Sequence, residues 1–157
     1  MTYTGRFAPT PTGPLHMGSL VAALASYLDA KSQQGQWLLR IEDLDPPRED
    51  KAASTLIPQQ LKAHGLIWDG EMEYQSQHHQ RYETVLTQLR QQGHLFPCAC
   101  SRKSLSASQG LHHGKCPAPS DNQPTAMRLL VEDKTQGFED AVFGPYEQPL
   151  ANVGDQI

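Results

Sequence analysis

The sequence predicts an α/β fold built on a parallel sheet, and the pattern of its first 41 residues carries this prediction. A short apolar segment ends at Phe7, a second apolar run reads Trp37-Leu38-Leu39-Arg40-Ile41, and helical periodicity fills the chain between them. Two strands joined by a crossover helix form a βαβ unit, whose strands lie parallel. We therefore expect a Rossmann-like sheet with helices on both sides.

The crossover helix follows a rigid turn, Pro9-Thr10-Pro11-Thr12-Gly13-Pro14. We predict Ser19 as its N-cap, because a serine hydroxyl accepts a hydrogen bond from the first turn of a helix. Gly35 is the predicted C-terminal stop. The apolar side of the helix recurs at helical spacing over Leu20, Ala23, Leu24, Tyr27 and Leu28.

Two further helices and a strand are predicted along the chain. One helix covers about residues 48–64, and Pro58 should kink or split it. Another covers about residues 77–92, and residues 126–131 return to a strand-like pattern. The apolar face of the later helix consists of Tyr82, Val85, Leu86 and Leu89.

The composition and charge of the chain exclude several classes of protein. Apolar residues make up 38% and charged residues 19%, as in ordinary globular proteins. The net charge of −4 argues against a protein that binds nucleic acids mainly through nonspecific contacts to their phosphates. No apolar run is long enough to span a bilayer, and the start of the chain does not resemble a signal peptide. We expect a cytoplasmic monomer with no membrane partner.

The segment from Arg6 to Ser19 has the features of a nucleotide site, because it follows a strand and opens a helix. A helix start offers free amide donors and a positive dipole end to a phosphate. His16 could donate to phosphoryl oxygens, and Gly18 would let a flat base approach the backbone. The alternative is a proline-rich turn with a surface histidine.

The string R-F-A-P-T-P-T-G-P-L-H-M-G-S resembles the first signature of class I aminoacyl-tRNA synthetases, in the form typical of glutamyl-tRNA synthetases. The resemblance implies a catalytic role for His16, Gly18 and Ser19. Serine at position 19, where many class I enzymes have histidine, is common in the short branch of glutamyl-queuosine tRNA(Asp) synthetases. By the same resemblance, ATP is bound by Pro9, Thr12, Gly13, His16, Gly18 and Ser19.

A second string, Leu39-Arg40-Ile41-Glu42-Asp43-Leu44-Asp45-Pro46-Pro47-Arg48-Glu49, resembles the R-I-E-D-x-D signature of the same family. The resemblance implies that Glu42 holds the amino group of substrate glutamate. It also implies a glutamate pocket lined by Arg6, Phe7, Ala8, Pro9 and Thr10. The alternatives are a solvated acidic turn, with Asp45 capping the next helix, and a structural ion pair between Arg6 and Asp43.

Residues 96–124 hold all three cysteines, and we predict that they form a metal-organised insert. Cys98, Cys100 and Cys116, with His112 or His113, offer the four ligands that structural zinc takes. Three unrelated thiols are the alternative. The resemblance implies a zinc site and, by register, favours His112 over His113. We accordingly predict a nucleotide-binding domain over residues 1–95, which continues after the insert over residues 125–157.

The resemblance implies ATP-dependent activation of L-glutamate, with Mg²⁺ accompanying the ATP, and transfer to queuosine in tRNA(Asp). No K-M-S-K-like lysine loop occurs in the 157 residues, so we expect a truncated sequence that is inactive alone. The alternatives are a truncated glutamyl-tRNA synthetase that charges tRNA(Glu) and a non-catalytic zinc-stapled nucleotide- or RNA-binding module. A nucleotidyltransferase with a similar histidine motif is a weaker third.

Overall fold

The structure is a computed structural model that describes residues 3–101, 103–114, 116 and 124–157. The chain divides into two compact units, Met1–Arg81 and Tyr82–Ile157. Among the described residues, none of the helices combines the length and the apolar character that a membrane crossing requires.

The first unit contains the predicted βαβ arrangement. Its elements are β1 (Thr4–Phe7), α1 (Met17–Ser32), β2 (Gln36–Ile41), α2 (Lys51–Ala63) and β3 (Glu73–Tyr74). The strands form one sheet in the order β1-β2-β3, and both pairings are parallel. The prediction of a parallel sheet is confirmed, although β3 was not predicted, since two residues carry no periodic signal.

Apolar burial holds this unit together. Trp37 of β2 is fully buried, stacks on Phe7 and meets Tyr27 edge to face. Its indole nitrogen donates to Ser26 Oγ at 2.9 Å, so the polar end of the ring is also satisfied. The surrounding core consists of Ala23, Ala30, Leu39, Ile41, Ala53, Ile57, Leu61 and Leu66.

The second helix differs from its prediction in where it begins and in the effect of Pro58. It begins at Lys51 with Asp50 as N-cap, because the backbone before it forms a turn in which Arg48 and Glu49 donate to the carbonyl of Asp45. Asp45 is therefore not the helix cap. The predicted split at Pro58 is not observed, since α2 runs continuously from Lys51 to Ala63. Pro58 itself is buried.

The second unit is built from antiparallel pairs. The helix α3 (His79–Gln91) follows a 3₁₀ turn and begins two residues later than predicted. β4 (Leu95–Cys98) pairs with β5 (Ala126–Leu129), and β6 (Thr135–Asp140) forms a hairpin with β7 (Gly144–Pro149). The predicted strand at residues 126–131 is thus confirmed over four residues. The apolar face predicted for α3 is not buried among the described residues.

Candidate active site and metal centre

The loop between β1 and α1 is fixed by backbone hydrogen bonds to both neighbouring elements. The carbonyl of Pro9 accepts from the amide of Glu42 at 3.0 Å, and the carbonyl of Pro11 accepts from the amide of Asp50 at 2.8 Å. Further along, the amide of Leu15 donates to Oε1 of Gln60 in α2 at 2.9 Å. These hydrogen bonds therefore fix the proline-rich turn to the end of β2 and to α2, directly before the start of α1.

His16, and not Ser19, is the N-cap of α1. Its backbone is extended, and its Nδ1 accepts from the amide of Ser19 at 3.3 Å. The prediction for Ser19 was wrong because an imidazole nitrogen can do what the serine hydroxyl was expected to do. With Nδ1 as acceptor, the proton of a neutral imidazole lies on Nε2, which is 3.2 Å from Oγ of Ser19.

Gly18 gives the His16 ring its space. A Cβ at position 18 would lie 3.1 Å from Cε1 and 3.2 Å from Nδ1 of His16, which is a tight contact. A larger residue would require the imidazole to shift by a few tenths of an ångström. The absence of a side chain at position 18 therefore leaves room for the observed position of the ring.

An open cleft of about 370 Å³ lies along this loop. All six residues predicted to bind ATP line it, which brings the proline-rich turn and the start of α1 to one surface. Phe7 and Thr10 also line it, whereas Arg6, Ala8 and Glu42 do not. The lining residues are Phe7, Pro9, Thr10, Thr12, Gly13, Pro14, Leu15, His16, Gly18, Ser19, Ala22 and Ile57.

Glu42 follows β2 directly, and its amide is bound to the loop through Pro9. Its Oε1 accepts from Nη2 of Arg40 at 2.5 Å, and the side chain is about one-third exposed. One carboxylate oxygen therefore has an arginine partner, and Oε2 remains for a second donor. Arg6 lies on β1 and is exposed.

Asp43 has a structural partner in the first unit. Its carboxylate accepts from the amide of Ser76 at 2.9 Å and from the Ser76 hydroxyl at 2.6 Å. Burial opposes ionisation, but these bonds lower the pKa of Asp43 below its ordinary value. Among the residues that the structure describes, no ion pair joins Asp43 to Arg6, so that alternative pairing is not observed.

The second unit brings together the predicted metal ligands. The ligand atoms of Cys98, Cys100, His112 and Cys116 all lie within 4.8 Å of one another. His112 Nε2 is 3.5 Å from Cys98 Sγ and 2.9 Å from Cys116 Sγ, and Cys100 Sγ is 3.4 Å from Cys116 Sγ. His113, the competing ligand, is exposed and is not part of the cluster.

This donor set fits a tetrahedral zinc ion. Metal–sulfur distances of about 2.3 Å and metal–nitrogen distances of about 2.1 Å require ligand atoms about 3.6–3.8 Å apart. The separations given above, 2.9–3.5 Å, lie slightly below that range, so the four ligand atoms are close enough together for one ion. The amide of Cys100 also donates to Cys98 Sγ at 3.3 Å, so the short C-x-C spacing forms a turn around one sulfur.

Two buried residues beside the cluster were not predicted from the sequence. Asp155 Oδ2 is 2.9 Å from Nδ1 of His112, and Nε of Arg128 donates to Cys98 Sγ at 3.1 Å. Both are more than 90% buried. No spacing rule could have found them, since Asp155 lies 43 positions after His112 in the chain.

Hydrogen bonds set the ionisation of this cluster. Burial opposes a charge on Asp155, but bonds from the Val131 amide and from His112 lower its pKa. Burial also opposes the Cys98 thiolate, yet donors from the Cys100 amide and Arg128 lower the pKa of Cys98 to about 6. Burial and the neighbouring thiols raise the pKa of Cys116 to about 12. The donors from the Cys100 amide and Arg128 therefore favour the thiolate form of Cys98.

Residues 3–142 match the family model of the class I tRNA synthetases (E and Q), catalytic domain. This match covers most of the chain. The chain belongs to this family. The resemblance seen in the loop and in the acidic string is thereby confirmed at the level of the family, and the chain has the fold of its catalytic domain.

Curated relatives carry a more specific name. The chain is 51% identical over 158 residues to a glutamyl-Q tRNA(Asp) synthetase of Pseudomonas fluorescens, which covers 99% of this chain and 53% of that protein. It is 48% identical over 168 residues to the glutamyl-Q tRNA(Asp) synthetase of Neisseria meningitidis serogroup C, covering 99% and 57% respectively. The chain thus spans about half the length of these relatives.

Solved structures agree on the fold. A glutamate tRNA ligase from Elizabethkingia meningosepticum, crystallised with its amino acid, superposes with a TM-score of 0.85 at 22% identity. That comparison covers 99% of this chain and 38% of the ligase. The glutamate-tRNA synthetase of Elizabethkingia anophelis gives a TM-score of 0.83 at 23% identity, covering 100% of this chain and 38% of that protein.

Proposed function

We propose that this chain is part of an enzyme that activates L-glutamate with ATP and transfers it to queuosine in tRNA(Asp). One observation carries the proposal: near-50% identity, over 99% of the chain, to proteins named glutamyl-Q tRNA(Asp) synthetase. The site geometry supports it, since a rigid loop, a helix start and a strand-end carboxylate occur on one unit. The chain is expected to work in the cytoplasm as a monomer.

The ATP end of the reaction is assigned to the start of α1. His16 Nε2–H donates to a phosphoryl oxygen, and the free amides of the first helical turn add fixed positive dipoles. Pro9, Thr12, Gly13, Gly18 and Ser19 form the remaining surface of the ATP cleft. Mg²⁺ would accompany the phosphates and offset their charge.

The glutamate end is assigned to Arg6, Phe7, Ala8, Pro9, Thr10 and Glu42. Glu42 presents Oε2 to the substrate ammonium group, while Arg40 keeps hold of Oε1. Arg6 is exposed on β1 and can meet a substrate carboxylate with its planar guanidinium.

The reaction then proceeds in two balanced steps. An oxygen of the glutamate α-carboxylate attacks the α-phosphorus of ATP, the bond to the β-phosphate oxygen breaks, and pyrophosphate leaves. A queuosine hydroxyl next attacks the carbonyl of the glutamyl-adenylate, loses its proton and displaces AMP. His16 stabilises charge on the phosphoryl oxygens during the first step.

The cluster of Cys98, Cys100, His112 and Cys116 is proposed to hold a structural zinc ion. Such an ion would supply four bonds that hold this polar, loop-rich segment in place. Elemental analysis of protein purified without added metal should find one zinc per chain. His112→Ala should lose it and His113→Ala should retain it, whereas the reverse result would refute the ligand assignment.

Activation is tested by glutamate-dependent exchange of labelled pyrophosphate into ATP. The full product of the gene should support exchange, and replacing glutamate with glutamine or aspartate should abolish it. The 157-residue chain, run beside it, should show no exchange. Exchange without glutamate, or none by the full product, would overturn the proposed activation.

The acceptor is tested with three purified RNAs: tRNA(Asp) with queuosine, tRNA(Asp) with unmodified guanosine in its place, and tRNA(Glu). Labelled glutamate should reach only the first. Charging of tRNA(Glu) would instead identify an ordinary glutamyl-tRNA synthetase. Binding of nucleotide or RNA without any glutamate transfer would identify a non-catalytic module.

The role of Glu42 is tested by Glu42→Gln, which keeps the size of the side chain. Removing the charge that faces the substrate ammonium group should weaken glutamate binding by about 1.5–3 kcal/mol while ATP binding stays near that of the parent. Glu49→Gln is the matched control, because Glu49 lies outside the proposed pocket. Calorimetry that finds equal losses for both ligands would indicate a folding defect instead.

A further inference from the structure

We propose that Asp155 and Arg128 are positioning residues of the metal site. In this assignment, Asp155 selects the metal-binding nitrogen of His112 and Arg128 stabilises the thiolate of Cys98. The inference rests on the zinc site proposed above. Both residues lie far from the proposed ligands in the sequence, and the spacing of the cysteines does not indicate them.

The geometry around His112 fixes the role of each ring nitrogen. Nδ1 is 2.9 Å from Oδ2 of Asp155, whereas Nε2 lies 3.5 Å from Cys98 Sγ and 2.9 Å from Cys116 Sγ. A carboxylate accepts and does not donate, so it holds the proton on Nδ1. The lone pair is then on Nε2, the nitrogen that faces the three sulfurs, which is the tautomer a metal requires.

Asp155 suits this task better than a neutral amide would. Its Oδ1 accepts from the amide of Val131 at 2.8 Å while Oδ2 accepts from His112. Both neighbours are donors, and a carboxylate offers an acceptor to each. Asparagine has only one acceptor oxygen, so one donor would face its NH₂ group.

Arg128 contacts both a proposed metal ligand, Cys98, and the backbone of Asp155. Its Nε donates to Cys98 Sγ at 3.1 Å, and its Nη1 donates to the carbonyl of Asp155 at 2.9 Å. Three thiolates around a divalent cation carry net negative charge, and this buried guanidinium offsets it. The same side chain therefore stabilises a ligand and fixes the backbone that carries the positioning carboxylate.

Competition with a zinc chelator tests the proposal on the purified 157-residue chain. Asp155→Asn should lower zinc affinity by about 10–100-fold, the usual cost of removing such a partner. Asp133→Asn, the same change at an exposed position of the same unit, should leave affinity unchanged. Arg128→Gln should also weaken binding, and Arg128→Lys should restore part of it by returning the positive charge.

A double-mutant cycle separates positioning of the histidine from a general structural role. His112→Cys replaces the imidazole by a thiolate, which has no second nitrogen for Asp155 to hold. On that background, Asp155→Asn should no longer weaken zinc binding. Cobalt absorption spectra of all four proteins then report whether the tetrahedral ligand set is retained.

Each outcome decides a separate question. A parent protein that binds no zinc would refute the proposed metal site. If the parent binds zinc and Asp155→Asn binds it equally well, the metal site stands and the positioning role is wrong. An equal loss for Asp155→Asn with histidine or cysteine at position 112 would make Asp155 a structural residue only.

Discussion

The two units of this chain bury different chemistry. In the unit Met1–Arg81, apolar side chains around Trp37 and Ile57 fill the interior. In the unit Tyr82–Ile157, the described buried residues include His112, Arg128 and Asp155, which surround Cys98, and α3 buries none of its described side chains. The buried residues of the first unit are mainly apolar, whereas the second unit buries a polar cluster beside the apolar Leu95 and Phe96.

The two units differ in what holds their loops in place. In the first unit, the loop between β1 and α1 is bonded to the end of β2 and to α2, both of which pack into the hydrophobic core. A segment with little apolar area cannot stabilise itself in that way and requires bonds of another kind.

Removing the metal should have the largest effect and should act on the second unit only. Structural zinc contributes on the order of 10 kcal/mol in small domains, which is comparable to the free energy of unfolding of a whole domain. Hydrogen exchange after chelation should rise across Leu95–Cys98 and Ala126–Leu129 and stay unchanged across Thr4–Phe7 and Gln36–Ile41. Uniform exchange in both units would contradict the comparison.

Acidification from pH 7.5 to 5 should release the metal while the first unit stays intact. Zinc needs thiolates, so protons compete more strongly as the pH falls. In the first unit, Lys31 and the Trp37 amide lower the pKa of Asp69 below 3.8. A carboxylate with a lowered pKa loses its contribution to stability only as the pH falls below its ordinary pKa of 3.8. The Lys31–Asp69 ion pair therefore survives at pH 5.

A chromogenic zinc indicator and far-ultraviolet circular dichroism follow the two events separately. Zinc release should cost at most the helix signal of α3, and the larger signal of α1 and α2 should be lost only at lower pH. Simultaneous loss of both would show that the two units unfold as one.

Ile57→Ala tests how much the hydrophobic core contributes to the stability of the first unit. Ile57 is 1% exposed in α2, and truncating such a residue costs about 2–5 kcal/mol. Leu28→Ala is the control, since Leu28 is 55% exposed and should change little. Urea denaturation gives the stabilities, and zinc content should equal that of the parent in both variants.

Gly154→Ala should have the smallest effect, about 1–3 kcal/mol, and should act through the contact with His112. Gly154 has a φ of +70°, and a Cβ there would lie 2.8 Å from the carbonyl oxygen of His112. Gly110 shares the left-handed backbone, with φ +84°, but a Cβ there meets nothing within 4 Å. Gly110→Ala therefore measures the backbone cost alone, and equal losses would exclude the contact.

Much of the first unit could be predicted from the sequence, because its signals are local. Apolar periodicity located α1 and β2, and the order of strand, helix and strand implied parallel pairing. The N-cap was misplaced at Ser19, because composition alone does not reveal that the imidazole of His16 turns back onto its own helix. The start of α2 was missed for a similar reason, since the turn after Asp45 is held by backbone bonds.

For the second unit, the sequence determined which side chains have metal chemistry: three thiols and a histidine at short spacings. Only the tertiary structure decided their arrangement, placing His112 in the cluster and leaving His113 outside. It also placed Arg128 and Asp155 beside them, because strand pairing and the return of residues 153–157 bring distant positions together. Ligand chemistry is a property of residue type and spacing, whereas the charges and hydrogen bonds that tune it depend on contacts between residues far apart in the chain.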